Sequence, residues 1–104
     1  MDRTKIKEQV TLRYSDTLTL TGDLYASTYV DGTPAVYLST AEGDEPVSVN
    51  LSAHGYLPEL GAVFVKNEFP DLAQSLADAT GGTITRTFGY GPFDATATEV
   101  LLGA

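Results

Sequence analysis

The chain has 104 residues, no Cys, an apolar fraction of 42% and a net charge of −8. This length supports one small globular domain over residues 1–104 and excludes a separate cofactor-binding domain. The missing Cys excludes thiol nucleophiles, disulfides and Cys-ligated metal sites, and the acidic balance disfavours direct binding to nucleic acid or to an anionic membrane.

Alternating apolar residues predict two strands between residues 6 and 26, separated at Ser15-Asp16. Thr occupies many of the intervening positions, which suits strands with one face in solvent. Gly22 interrupts the second strand and predicts a bulge or a bend. The chain is therefore expected to begin with a β-hairpin.

A turn at 31–34 precedes a predicted strand over 35–40. An acidic turn over 42–46 should lead to a further strand, with Val47, Val49 and Leu51 as its inward residues. Residues 52–61 are rich in Gly and Pro and predict a loop, and residues 62–66 predict a short strand. This part of the chain is expected to add a second hairpin.

Helical spacing occurs in one segment only. Asn67 or Glu68 is its expected cap, Asp71 suits the positive end of the helix dipole, and Gly81-Gly82 should end it. The apolar residues that form one stripe at this spacing are Leu72, Ala73, Leu76 and Ala79. A helix this short needs a sheet to pack against.

Two last strands are predicted over 83–90 and 93–102, joined by a Gly-Tyr-Gly-Pro turn at 89–92. The whole order predicts the α+β class, with a mainly antiparallel β-sheet of about six or seven strands and one short helix packed on it. The N-terminal cations precede no apolar segment, and no run approaches the about 18 apolar residues of a membrane span. We therefore expect a cytoplasmic protein.

Few residues suggest chemistry. His54 is the single His, and its surroundings lack the partners that a catalytic triad or a His-based metal site requires. The carboxylates of Glu42, Asp44 and Glu45 are clustered, but they lack the spacing of a calcium-binding EF-hand loop. We expect no enzyme activity, no catalytic residue, no bound metal and no cofactor.

Charge is the unusual feature. Residues 1–13 carry a local charge of +2, so residues 14–104 carry −10 with only Lys66 and Arg86 as cations. Such a field accelerates association with basic partners, and it also suits simple solubility or a high-salt cytoplasm. The carboxylates expected to contact a partner lie on the predicted hairpin tip and helix, and they are Glu42, Asp44, Glu45, Asp71 and Asp78.

Four segments resemble, in this order, a family of small acidic β-rich proteins carried by bacterial phages, plasmids and conjugative elements. These are LTGDLYA at 20–26, GDEPVSVNL at 43–51, GAVFVK at 61–66 and TRTFG at 85–89. The family has no assigned function, so no site residue is carried over from it. The resemblance implies a mobile-element accessory protein in the bacterial host, a class that includes anti-CRISPR inhibitors of host immunity and acidic mimics of nucleic-acid phosphates.

The expected function is therefore a non-enzymatic inhibitor of host defence. Its expected partner is a basic nucleic-acid-handling protein, such as a CRISPR effector, bound through the acidic surface. The alternative is a small structural or self-assembling module of a phage or conjugative element. In that case an edge strand would pair with a second copy and form a homodimer by strand addition.

Overall fold

Two antiparallel sheets and one α-helix make up the computed structural model, which describes residues 3–103. In chain order its elements are β1 (Thr4–Ser15), β2 (Leu18–Thr28), β3 (Pro34–Thr40), β4 (Gly43–Pro46), a short 3-10 turn (Ser52–His54), β5 (Ala62–Lys66), α1 (Leu72–Thr80), β6 (Thr83–Tyr90) and β7 (Ala95–Leu101). The predicted α+β class is confirmed.

The first sheet has the strand order β1-β2-β3-β4, and the second has the order β5-β7-β6. The alternation read from the sequence places one face of each sheet in the interior. In β1, for example, Val10, Leu12 and Tyr14 are buried while Thr11 and Arg13 between them are exposed. The core lies between the two inner faces.

The helix closes the core with most of the predicted stripe, since Leu72, Ala73 and Leu76 are buried; Ala77 is buried with them, and the predicted Ala79 is half-buried against the same core. Its predicted start is wrong, because residues 67–71 form a turn and the cap is Asp71. Its predicted end is confirmed at Gly81, whose φ of 68° lets its N–H bond back to Ala77. No helix within residues 3–103 has the length and apolar character to cross a membrane.

The second hairpin turns earlier in the chain than predicted. The turn occupies residues 41–42, and residues 43–46, predicted as the turn, form strand β4. The predicted strand with Val47, Val49 and Leu51 facing inward is instead an irregular segment that leaves the first sheet. The reason is local: Gly43 adopts a φ of 130° next to the tight turn, so the return strand begins at once.

The segment of residues 46–49, here called the crossover segment, connects the two sheets. The N–H groups of Val47 and Ser48 both donate to Val36 O at 3.1 Å, on β3. The N–H of Val49 then donates to Phe64 O at 2.9 Å, on β5. One short segment is therefore hydrogen-bonded to both sheets.

A second, smaller cluster covers the outer face of the second sheet. Leu51, Phe64 and Ala97 are its buried members, and the loop that follows the crossover segment packs Tyr56 onto Phe88 with ring centroids 4.3 Å apart. The predicted loop over 52–61 is thus a cover for this face.

Gly22 lies opposite a bulge that is in β1, not in β2 as its own position predicted. The pairs Lys7↔Leu24 and Val10↔Gly22 leave one extra residue on β1, where Gln9 has a φ of 52°. A Cβ at Gly22 would lie 2.2 Å from the carbonyl oxygen of Ser39 on β3. Glycine is needed here because two strands approach closely.

We expect Gly22→Ala to lower the free energy of unfolding by about 1–3 kcal/mol, because the new methyl group forces β2 away from β3. Chemical denaturation measures this. Gly89→Ala on β6 is the matched control, since its Cβ meets nothing closer than Ala95 O at 3.7 Å. Equal stability of the two variants would contradict this account of Gly22.

Candidate functional site

The predicted hairpin tip is an acidic strand edge. Glu42 lies in the turn and accepts a hydrogen bond from Thr40 Oγ1 at 3.4 Å, while Asp44 and Glu45 lie on β4, whose four residues are all exposed. Because β4 is the last strand of its sheet, nothing in the described chain pairs with its outer side. We call Glu42, Asp44 and Glu45 the acidic edge.

The carboxylates of the acidic edge point to two faces. Asp44 pairs in register with Ser39, and Glu45 pairs with the fully buried Leu38. Glu45 therefore projects on the side of the core, toward Tyr14. Burial, and secondarily the negative charge of Glu45, raises the pKa of Tyr14 to about 12.

The structure separates the two predicted helix acids from the acidic edge. Asp71 is bound by Arg13, whose Nε lies 3.1 Å from its carboxylate, and Asp78 accepts a hydrogen bond from Gln74 at 2.9 Å. Both acids line a shallow polar depression beside Ser75. Asp71 is the less available of the two for a partner, because it already holds a cation.

An apolar groove lies between the acidic edge and the start of α1. It has a volume of about 250 Å³. The residues that line it come from the crossover segment and from the chain around the β5–α1 connection: Pro46, Val47, Ser48, Val49, Lys66, Glu68, Phe69 and Leu72. Glu45 precedes one wall and Glu68 stands on the other, so carboxylates flank an apolar surface.

The groove walls are fixed by aromatic packing. Tyr14 meets Phe69 edge to face at 5.2 Å, and its hydroxyl donates to Pro46 O at 3.3 Å. The sequence reasoning missed this groove and the role of Glu68, because its two walls are about twenty residues apart in the chain. With a helix cap expected at Asn67 or Glu68, the sequence did not predict the turn over 67–71 that contributes to one wall.

A buried carboxylate on the second sheet was also missed. Glu99 is fully buried, and it accepts hydrogen bonds from Thr85 Oγ1 at 2.6 Å, Arg86 Nε at 3.1 Å and the Glu59 N–H at 2.9 Å. A bulge between Ile84 and Arg86 turns two successive side chains toward it. This cluster ties the loop of Glu59 to the sheet.

The pKa of Glu99 shows the balance of these effects. Burial raises it, but the hydrogen bonds from Thr85, the Glu59 amide and Arg86 outweigh burial and hold it below its usual value of 4.5. Arg86 also lies over the rings of Phe88 and Phe64, at 4.9 and 5.6 Å from their centroids. The predicted strand that contains Arg86 and Phe88 is confirmed. The structure shows in addition that these two side chains form one cluster with Phe64 and Glu99.

His54 is exposed in the 3-10 turn, and its ring meets the edge of Tyr90 at 5.2 Å. The nearby hydroxyl of Ser52 donates to Asn50 Oδ1 at 2.7 Å. Residues 3–103 contain no group of three His, Asp or Glu side chains placed to hold a metal ion. The site that the geometry offers is therefore the acidic edge with its groove.

Compared with known proteins, the chain matches no family model, no curated protein and no solved structure. The resemblance to small acidic proteins of mobile elements therefore stays a prediction.

We expect Glu99→Gln to lower the free energy of unfolding by about 1–2 kcal/mol, because it removes the charge that Arg86 and two other donors stabilise. The expected loss of stability is small because Arg86 is 44% exposed, so water screens its attraction to Glu99. A folded-state pKa below 4.5 means that this stabilisation is complete above that pH and is lost as the pH falls through the lowered pKa.

Denaturation at several pH values tests this, with Glu59→Gln as the control because its side chain is exposed and only its backbone N–H binds Glu99. The difference between the wild type and Glu99→Gln should shrink from neutral pH toward pH values below the usual Glu range. A difference that stays constant with pH would show that the charge of Glu99 is not what stabilises the cluster.

Proposed function

We propose that this protein is a non-enzymatic binding protein that docks onto a basic protein surface through the acidic edge and the groove beside it. The observation that carries the proposal is the placement of three carboxylates, one in the turn and two on the exposed edge strand β4, next to an apolar depression. A fully acidic surface would serve solubility alone, whereas an apolar centre flanked by charges is typical of a surface that binds a partner.

The charge distribution supports a basic partner. In residues 14–104 the only cations are Lys66 and Arg86, and Arg86 is bound to Glu99. Lys66 is exposed at the groove, and the nearby carboxylates of Glu45 and Glu68 outnumber it. Long-range attraction would therefore bring a basic surface to this side of the molecule, over a Debye length of about 8 Å at physiological salt.

The groove adds specificity to that attraction. It is lined mainly by Val47, Val49, Phe69 and Leu72, which suits one apolar side chain of the partner. Burial of an apolar side chain in such a depression supplies affinity that salt does not screen, while flanking charge pairs mainly raise the association rate. The partner segment that fits best carries an apolar residue between Lys or Arg residues.

A narrower form of the proposal follows from the family resemblance. In this form the protein is an accessory product of a mobile element, and it inhibits host defence by occupying the basic nucleic-acid channel of a nucleoprotein such as a CRISPR effector. The acidic edge would take the place of backbone phosphates in that channel. The cytoplasm of the bacterial host is where such a partner is found.

The absence of catalysis is part of the same proposal. The one buried carboxylate in residues 3–103, Glu99, is saturated by three donors and held ionised, which leaves it no proton to give at neutral pH. His54 meets Tyr90 edge to face in an exposed loop. Neither group has the paired arrangement that acid–base or nucleophilic chemistry requires.

We expect the triple variant Glu42→Lys, Asp44→Lys, Glu45→Lys to lose its partner, because it removes the charge that faces the basic surface. Affinity capture from a bacterial lysate, followed by titration of the captured protein at several salt concentrations, measures this. Binding by the wild type should weaken steeply with salt, and the variant should bind at least about tenfold more weakly with a flatter salt dependence.

The matched control is Glu8→Lys, Asp16→Lys, Glu59→Lys, which makes the same change of net charge at exposed positions away from the groove. It should retain most of the binding. Equal losses in both triple variants would show that net charge alone matters and would refute a defined site. A captured protein that never handles nucleic acid would refute the narrower proposal and leave the acidic edge as the binding site.

A further inference from the structure

The sheet edges of this protein are protected unequally. An unprotected edge offers free N–H and C=O groups to another strand, and natural proteins block such edges with charges, prolines, bulges or covering elements. Within residues 3–103 the edge strands are β1, β4, β5 and β6; the first three are each blocked in one of these ways, whereas β6 has only a bulge between Ile84 and Arg86.

Edge strand β1 is blocked by irregularity and by the helix. Its pairing with β2 is shifted at three places, which twists the strand away from a regular ladder. Helix α1 also bonds to its backbone, since Arg13 N–H donates to Ser75 Oγ at 2.9 Å and Tyr14 O accepts from Asp71 N–H at 3.2 Å. A further strand has no regular edge to join there.

Edge strands β4 and β5 are blocked in other ways. β4 has four residues, two of them acidic, and ends at Pro46, so two copies placed side by side would bring like charges together. β5 is occupied by the crossover segment, through the bond from Val49 N–H to Phe64 O at 2.9 Å.

Edge strand β6 is the least protected of the four, since its bulge is confined to the stretch between Ile84 and Arg86, near its start. Its eight residues contain no Asp, Glu, Lys or Pro, and six of them are exposed. From Arg86 to Tyr90 the strand pairs with β7 one residue to one residue without a shift. Within residues 3–103, the bonds to its backbone come from β7 and, at Gly89, from the hydroxyl of Tyr56.

The charge distribution also favours β6 of a second copy as the partner of β6. Each copy carries a net charge of −8, so most approaches of two copies are repulsive. β6 carries no carboxylate, and its one cation, Arg86, is bound to the buried Glu99. Two β6 strands can therefore approach without bringing acids together, and Ile84, which is 38% exposed, gains burial when they do.

We propose that β6 pairs antiparallel with β6 of a second copy about a twofold axis and joins the two three-stranded sheets into one continuous six-stranded sheet. The contact is isologous, so it closes at two copies and leaves β5 of each copy at the two outer edges of the joined sheet, while β4 stays uninvolved in the other sheet. The proposal does not depend on the binding role of the acidic edge.

The test has two parts: sedimentation measures how many copies associate, and hydrogen exchange shows which strand they use. Sedimentation of the wild type over a wide concentration range at physiological salt should show a monomer–dimer equilibrium. Amide hydrogen exchange by NMR, at low and high concentration, should show added protection at alternate residues of β6 and unchanged exchange in β1 and β4, because only the outward-facing amides of β6 gain partners.

Thr83→Lys with Gly89→Lys is the variant that tests the edge directly. Both positions are exposed, and each copy would bring two new positive charges to a strand pair in which β6 has no carboxylate to offset them. The dimer dissociation constant should rise at least about tenfold. The control, Thr19→Lys with Thr28→Lys on β2, changes the net charge equally at exposed positions of an interior strand, and it should dimerise as the wild type does or better.

A wild type that stays monomeric at every concentration would overturn the proposal. So would a dimer in which β6 exchanges as in the monomer, or assemblies larger than two copies, which would indicate pairing of β6 with a different edge. If circular dichroism shows that the double-lysine variant is unfolded, the hydrogen-exchange measurement on the wild type tests the proposal by itself.

Discussion

The crossover segment of residues 46–49 is hydrogen-bonded to both sheets, and this holds the second sheet over the first. Ser48 is its centre, because its hydroxyl oxygen accepts the N–H of Val36 at 2.8 Å and lies 2.7 Å from the hydroxyl of Tyr29. The Ser48 side chain thus pairs with the backbone of β3 beyond Pro46, the last residue of β4. Freed from pairing, the backbone of Val49 reaches β5 and holds the second sheet over the first. The core is enclosed because one short segment satisfies both sheets.

The same constraint positions the candidate site. Since the chain leaves the first sheet at Pro46, β4 stays short and its acids stay at an exposed edge. The departing residues form one wall of the groove, and Tyr14 and Phe69 fix the distance to the other wall. The acidic edge and the groove are therefore consequences of how the two sheets are joined.

The sequence predicted the elements that local periodicity determines. It did not predict the contacts between residues that are distant in the chain. Period-two alternation in β1 and β2, the apolar stripe of α1 and the stop at Gly81 were all predictable, because local sterics and burial determine them. The strand at 43–46 was not, since Asp, Glu and Pro favour turns and only tertiary pairing with β3 overrides them. Glu99 lies within the predicted strand over 93–102, and no local pattern showed that Thr85, Arg86 and the Glu59 amide would meet it.

The central claim is that the acidic edge and the groove act as one surface for an apolar residue between cations. NMR titration of the labelled protein with a short Lys-rich peptide containing a single Leu tests it most directly, with the same peptide carrying Ser in place of Leu as its control. The account predicts shifts at residues 42–49 and 66–72 with the Leu peptide, and loss of the groove shifts at Val49 and Phe69 with the Ser peptide. Equal shifts with both peptides, spread over acids such as Asp16 and Asp94, would contradict it.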